Sequence, residues 1–211
     1  MAATPDAKAA TGALSTFTSD PSLAPYATSM AAYLAANAGF EGLGTGALVI
    51  FSPDADTASN GLVQGSEEAA ADRILLVQRA AHDSMPLLWE DETILHAVAR
   101  ELREESGLRA AHIGAQVGEA KAFFTRRGRR VLKISFLVDV EAGADAESGK
   151  KSLPVVKLDP NEHAAFFWAT EEECRRHRVG ETDIEFTNSS QEQSVLDGFR
   201  LRRELRGQAT A

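Results

Sequence analysis

The sequence predicts a mixed α/β fold in which strands precede and follow one central amphipathic helix. Two apolar runs, at 47–51 and 74–77, have the length and composition of buried strands. Apolar residues recur at helical spacing between about Glu92 and Ser106. Strand patterns return at 131–140 and 166–169. Because the helix is flanked by strands on both sides in sequence, we expect helices packed on a sheet.

The helices are bounded by recognisable start and stop signals. A short helix is expected over 25–37, with a proline in its first turn. Gly107 is placed to end the central helix. A third helix is expected over Thr170–Arg178, where Thr170 and Glu173 have the spacing of a capping box. A last amphipathic helix is predicted over 189–206.

A β-hairpin is expected around the arginine-rich turn at 126–130. Its strands are predicted at 117–124 and 131–140. In the second strand the apolar side chains alternate and so share one face: Leu132, Ile134, Phe136 and Val138. Leu137 is the exception to this alternation. The pattern predicts a strand with one face in the core.

The length of 211 residues fits a single domain with a real core. Residues 1–20 are small and polar and predict a disordered tail. We expect one domain over 21–206, with its core at about 45–180, and a short C-terminal tail at 207–211.

Composition excludes several classes of function. The net charge is −9, from 22 basic and 31 acidic side chains, which disfavours nucleic acid as a partner. Cys174 is the one cysteine, so no intramolecular disulfide can form. The sequence has neither a secretory signal pattern nor an apolar stretch long enough to cross a bilayer. We therefore expect no membrane association and a cytoplasmic or nuclear protein.

Three glutamates on the central helix are the candidates for chemistry. Glu101, Glu104 and Glu105 stand at i, i+3 and i+4, so their carboxylates share one face of the helix. Like charges at this spacing repel one another, and a bound divalent cation would relieve the repulsion. Three glutamates alone are more often a solvated helix face, so the spacing by itself leaves both readings open.

The residues around these glutamates make a longer pattern. It reads Arg-Glu-apolar-x-Glu-Glu-x-Gly-apolar, with a further glutamate eight positions before the arginine. This stretch resembles the Nudix box. Eight of the nine positions that the box specifies match: Glu92, Arg100, Glu101, Leu102, Glu104, Glu105, Gly107 and Leu108.

The resemblance, which spans about residues 45–180, implies a fold and an activity. The fold would be a Nudix-type α/β/α sandwich with a mixed sheet. Glu101, Glu104 and Glu105 would hold Mg²⁺, or alternatively Mn²⁺, while Glu92 would support the site and Arg100 would orient a glutamate. The reaction implied is hydrolysis of the diphosphate linkage of a nucleoside diphosphate derivative or related small molecule, by a metal-polarised water. A homodimer is also compatible with the family.

Two residues outside the box are further candidates for substrate binding. Arg79 ends the strand at 74–77 and, by the resemblance, would contact a substrate phosphate. Glu162 precedes the strand at 166–169, where the family often places an extra base or metal ligand. The alternative for each is an ordinary surface residue.

One part of the box is different in this chain. Its first glycine falls on Pro86, and Trp89 runs directly into Glu92 without the apolar-Pro-Gly-Gly segment that the family usually has. The hypotheses are therefore a hydrolase, a Nudix module that binds a nucleotide or protein partner without turnover, and a purely structural domain with an acidic helix.

Overall fold

The computed structural model describes residues 16–53, 71–79, 92–125, 127–141, 152–160 and 163–209. The strands are β1 (Thr18–Ser19), β2 (Gly42–Leu48), β3 (Ile50–Phe51), β4 (Arg73–Arg79), β5 (Ala110–Gln116), β6 (Lys121–Phe124), β7 (Arg130–Val140), β8 (His163–Thr170), β9 (Arg178–Val179) and β10 (Thr182–Asp183). The helices are a 3₁₀ helix (Pro21–Tyr26), α1 (Met30–Ala36), α2 (Ile94–Ser106), α3 (Glu171–Arg176) and α4 (Ser189–Ala209).

The larger of the two main sheets is mixed. Its order is β1-β5-β7-β2, with β6 also paired to β7. Strand β2 runs parallel to β7 and β1 parallel to β5, whereas β5 and β6 are antiparallel to β7. A second, antiparallel sheet has the order β3-β4-β8. The predicted α/β class with a mixed sheet is confirmed.

Helices cover both faces of the central strand β7. Phe136 and Val138 lie in a core cluster with Ile94 and other residues of α2. Leu137, between them, points to the opposite face and lies in a second cluster with Phe199 of α4. The departure from alternation at Leu137 therefore has a structural reason, since the face opposite α2 is also buried at this point by a helix.

Strand β5 is absent from the sequence prediction, which placed one strand over 117–124. The structure has β6 only from Lys121, and Val117 follows the end of β5. The pairing of β5 with β7 shifts register between Ala110 and His112 and again beyond Ile113. These irregularities interrupt the alternation of buried and exposed side chains on which strand prediction depends. The sequence pattern therefore does not predict β5.

The N-terminal region also differs from its prediction. The disordered tail predicted for 1–20 is contradicted at its end, where Thr18–Ser19 forms β1 by pairing with β5. The helix predicted over 25–37 is divided into the 3₁₀ helix and α1 because Ser29 adopts an extended conformation and caps α1 with its side chain. Leu23 of the 3₁₀ helix is buried in the main core.

The last two helices follow the sequence closely. The capping box is present, since the Thr170 hydroxyl accepts from the Glu173 amide at 3.2 Å and the Glu173 carboxylate accepts from the Thr170 amide at 2.8 Å. Helix α3 ends before the predicted Arg178 because His177 adopts a left-handed conformation with φ 55°. Helix α4 continues to Ala209, beyond its predicted end. Among the described residues, no helix is long and apolar enough to cross a membrane.

Replacing Gly107 with alanine is expected to lower the free energy of unfolding by about 1–3 kcal/mol. Gly107 ends α2 with φ 71°, and a Cβ there would lie 3.0 Å from the Cβ of Lys157 and 3.2 Å from its carbonyl oxygen. Gly128→Ala is the matched control, because Gly128 has φ 75° and, among the described residues, no atom lies within 4 Å of the position its Cβ would take. Equal losses in chemical denaturation for both variants would contradict the steric part of this prediction.

Candidate active site

Helix α2 forms as its sequence predicts, with one correction at its start. Glu92 precedes the helix, and Thr93 is its N-cap, where the hydroxyl accepts from the His96 amide at 3.2 Å. Gly107 ends the helix in a left-handed conformation. The apolar stripe is buried against the sheet: Ile94, Leu95, Val98 and Leu102. Burial of this stripe sets the rotation of α2 about its axis and so determines the direction in which its glutamates point.

Arg100 is the centre of an ion-pair network on this face. Its Nε donates to both carboxylate oxygens of Glu92 at 3.1 Å, and its Nη2 donates to Glu92 Oε2 at 2.9 Å. Its Nη1 donates to Glu104 Oε2 at 2.7 Å. Burial works to lower the pKa of Arg100, but the hydrogen bonds and charges of Glu92 and Glu104 hold this pKa above its ordinary value. Arg100 therefore stays charged and joins the residue before the helix to its third turn.

The side chain of Glu101 points from α2 towards the sheet. Its Oε2 accepts a hydrogen bond of 2.7 Å from the Thr45 hydroxyl of β2, and its side chain is only 14% exposed. Burial raises the pKa of Glu101 to about 7, and the charges of Glu105 and Glu92 add to the rise, while Thr45 and Arg100 oppose it. Glu101 and Glu105 are i,i+4 neighbours on one face of α2, so their charges repel each other when both are ionised.

The raised pKa of Glu101 predicts a pH-dependent stability in metal-free protein. Since the folded state binds this proton more tightly than the unfolded state, the contribution of Glu101 to stability is fully present below pH 4.5 and is lost as the pH rises through about 7. We expect a loss on the order of 2 kcal/mol across this range from Glu101 alone. Chemical denaturation in EDTA should show a flatter pH profile for Glu101→Gln than for Glu204→Gln, an exposed control. Identical profiles for the two variants would contradict the assignment.

Thr45 is a site residue that the sequence analysis missed. It lies in Gly42–Leu48, where alternate glycines disfavour a strand, and the predicted strand began only at residue 47. The strand forms because it pairs in parallel with β7 along its length, with Thr45 opposite Ile134. A polar residue two positions before the apolar run 47–51, and so on the same face as its first residue, was the available signal.

Three metal-ligating carboxylates are not assembled in this structure. Within the described ranges, no three histidine, cysteine, aspartate or glutamate side chains lie close enough to surround one ion. Glu104 is hydrogen-bonded to Arg100 and is 55% exposed. Glu101 and Glu105 remain neighbours whose charges repel. Carboxylate oxygens suit a hard divalent cation, so the donor chemistry fits Mg²⁺ at this pair. The Glu104 carboxylate, whose Oε2 accepts from Arg100, would have to approach this pair to become a third ligand.

The two candidates outside the helix are described less fully. The backbone of Arg79 ends β4 opposite His163 of β8, while its side chain lies outside what the structure describes. Glu162 falls outside the described residues, directly before His163 in the sequence. The register of β4 and β8 therefore places the backbone of Arg79 beside the residue that follows Glu162. Their substrate-binding roles stay predictions.

Among the cavities formed by described residues, two lie beside α3 and α4. One, of about 460 Å³, is bordered by Asp72, Thr170 and Arg206 among others. The other, of about 290 Å³, is bordered by His177 and Glu192. Neither includes a glutamate of α2 among its described lining residues. These two cavities are therefore separate from the acidic face, the surface of α2 that carries Glu101, Glu104 and Glu105.

Several solved structures are similar to this chain. A MutT protein from Methanosarcina mazei Go1 is 18% identical with a TM-score of 0.46, covering 79% of this chain and 99% of that chain. A C. elegans Ap4A hydrolase is 14% identical with a TM-score of 0.47, covering 77% and 97%. The NUDIX domain of Shewanella oneidensis NrtR, complexed with ADP ribose, is 16% identical with a TM-score of 0.49, covering 82% and 97%. No curated protein matches the chain.

The family assignment rests on a sequence match much longer than α2. The family model described as NUDIX domain matches residues 62–189, which is more than half of the chain. This match contains α2 with its acidic face and extends from before β4 to the start of α4. The chain belongs to the NUDIX domain family.

Proposed function

We propose that the chain is a divalent-metal-dependent hydrolase that cleaves a diphosphate linkage in a nucleoside diphosphate derivative or a related small molecule. The observation that carries this proposal is the pairing of Glu101 and Glu105 on α2, with Glu101 held against β2 by Thr45. A half-buried carboxylate next to a second carboxylate is a costly arrangement in the absence of a cation. Family membership supports the same activity.

The glutamates of the acidic face share one proposed role, and Thr45 supports it. Glu101, Glu104 and Glu105 would hold Mg²⁺, with Mn²⁺ as the alternative, and the bound ion would offset phosphate charge and polarise a water. Thr45 orients the Glu101 carboxylate by donating to one of its oxygens, which leaves the other oxygen for ligation.

Arg100 and two residues outside α2 have supporting roles in this proposal. Arg100 holds Glu104 near the face and is itself fixed by Glu92. Arg79 would contact a substrate phosphate, and Glu162 would serve as an additional base or ligand. Arg79 ends β4 opposite His163, which directly follows Glu162 in the sequence, and this register supports assigning both roles to one region.

The partners and the location of the protein are part of the same proposal. The net charge of −9 supports a small-molecule substrate rather than nucleic acid, because a nucleic-acid surface would usually carry excess positive charge. The buried Cys174 thiol, with its pKa raised by burial to about 12, is an unreactive group suited to a reducing compartment. We propose a cytoplasmic or nuclear enzyme that forms a homodimer.

A second candidate is a NUDIX module that binds a nucleotide or protein partner without turnover. Two observations favour it. Arg100 already pairs with Glu104, and the sequence lacks the apolar-Pro-Gly-Gly segment that the family usually has between the tryptophan and the first box glutamate. This candidate predicts that nucleotide binding is detectable while hydrolysis stays absent at every metal concentration.

A substrate panel separates the two candidates. Phosphate or nucleotide release would be measured from nucleoside diphosphate derivatives with Mg²⁺, with Mn²⁺ and with EDTA, for the wild type and Glu104→Gln. Glu204→Gln is a matched control, because Glu204 is 57% exposed and lies in an i,i+4 pair with an arginine, as Glu104 does.

The outcomes of the panel are distinct. Metal-dependent release that is lost in Glu104→Gln and retained in Glu204→Gln would support the hydrolase and identify its substrate class. Release that is equal with and without EDTA would contradict the metal-dependent mechanism. No release from folded protein on any substrate, together with saturable nucleotide binding, would support the non-catalytic module.

A further inference from the structure

The N-terminal segment from 17 to 37 lies outside the family match and is built into the same core as α2. We name this segment, residues 17–37, the N-terminal brace. It contains β1, the 3₁₀ helix and α1, and it precedes the matched residues 62–189 by a wide interval. The brace is in direct contact with the start of α2, the helix that carries the acidic face.

The brace contacts the first residues of α2 in three ways. The Ile94 amide donates to the Thr28 carbonyl oxygen at 3.0 Å. Ser29 and Thr93 form an antiparallel β-bridge. The Phe17 ring meets the His96 ring edge-on, with centroids 5.1 Å apart. A helix N-terminus leaves amides without intrahelical partners, so the carbonyl of Thr28 satisfies one group that α2 itself cannot.

The other end of the brace is fixed to the large sheet. Thr18 and Ser19 pair in parallel with β5, and the Asp20 amide donates to the Ile113 carbonyl oxygen at 2.9 Å. Leu23 is only 2% exposed. The Tyr26 ring packs edge-on against a ring of β7, with centroids 5.2 Å apart. The brace therefore links the sheet to the start of α2 through backbone pairing, ring contacts and the buried side chain of Leu23.

We propose that the N-terminal brace is a positioning element that fixes where α2 begins and thereby places Glu92 and Arg100 for the function proposed above. Thr93, which bridges to Ser29, directly follows Glu92 in the chain. Glu92 in turn accepts three hydrogen bonds from Arg100. A helix rises about 1.5 Å per residue and moves as a rod, so displacement at Ile94 reaches Glu101 roughly 10 Å away.

The first test measures the helix start without any substrate. Amide hydrogen exchange at 94–97 and solvent exchange of the Arg100 Nε–H, observed by NMR, would be compared for the wild type, Phe17→Ala and Phe17→Leu. We expect both exchange rates to rise about tenfold in Phe17→Ala and to return towards wild type in Phe17→Leu. Phe124→Ala is the matched control, since Phe124 is 71% exposed. It should leave both rates unchanged.

Leu23→Ala is a second brace variant, and Leu23→Met its conservative counterpart, with the same expected order of exchange rates. Rates at 94–97 and at Arg100 that stay at wild-type values in both alanine variants would overturn the proposal. Exchange that rises equally throughout the sheet would also overturn it, because that result indicates general destabilisation rather than positioning of α2.

The second test uses hydrolysis well below the unfolding temperature. Phe17→Ala should lower kcat about three- to tenfold with KM changed less than twofold, since the brace acts through the position of Arg100 and not through substrate contact. A raised KM with unchanged kcat would contradict this role. If the wild type hydrolyses nothing while the exchange results appear as expected, the brace stands and the proposed function fails.

Discussion

Replacing Glu101 or Glu105 with glutamine is expected to reduce metal-dependent hydrolysis by about 10²–10³-fold, or roughly 3–4 kcal/mol of transition-state stabilisation. The amide keeps the size of the side chain but removes the negative charge that ligation requires. Glu101→Gln also removes a half-buried charge, so its metal-free form should be at least as stable as the wild type at pH 7.5. Lost activity with retained stability separates a functional carboxylate from a structural one.

The measurement is kcat/KM as a function of Mg²⁺ concentration, with thermal unfolding of each variant beside it. Glu204→Gln is again the control for loss of an exposed helical charge. Thr45→Val extends the test, because it removes the hydroxyl that donates to Glu101 while keeping the branched shape. Wild-type activity in both Glu101→Gln and Glu105→Gln would exclude these carboxylates from the reaction.

Replacing Arg100 with leucine is expected to lower the free energy of unfolding by about 2 kcal/mol and hydrolysis by about 10–100-fold. Glu92 is only 15% exposed at its side chain and would lose the guanidinium that satisfies both of its oxygens. Lysine is not an adequate replacement, because one ammonium cannot reproduce the fork that contacts Glu92 and Glu104 together. Arg100→Lys should therefore recover part of the stability and less of the activity.

A double-mutant cycle with Glu92→Leu identifies the source of the loss. Arg100→Leu with Glu92→Leu should be more stable than Arg100→Leu alone, since the largely buried carboxylate of Glu92 is no longer left without its partner, while hydrolysis should stay low. Arg176→Leu is the control, because Arg176 is 61% exposed and pairs with an exposed glutamate. Additive losses in the cycle would show that Arg100 and Glu92 do not act together.

Local patterns predict the central helix and the face on which its glutamates lie. The apolar stripe from Ile94 to Leu102 and the glycine after the last turn depend on neighbours within a few residues, so the sequence contains the information. The pairing of Arg100 with Glu104 is likewise an i,i+4 contact. The contact of Arg100 with Glu92 spans eight residues, and the family resemblance implied only that Arg100 would orient a glutamate.

Elements that depend on distant pairing are the ones that sequence reasoning missed. Strand β5 has register shifts where it pairs with β7, and these remove its alternation. Strand β2 begins among glycines and forms because β7 lies beside it. Strand β1 is two residues long and exists only through its pairing with β5. In each case the strand is stabilised by a partner many residues away, which no local pattern represents.

The sequence by itself determined the α/β class, the helix that carries the acidic face, and the family resemblance on which the proposed chemistry depends. Tertiary structure decided the surroundings of that face. It placed Thr45 against Glu101, buried Glu101 enough to raise its pKa to about 7, and set Thr28 at the start of α2. The physical reason is that helix periodicity is a local property, whereas burial, charge coupling and β pairing arise when distant segments exclude water together.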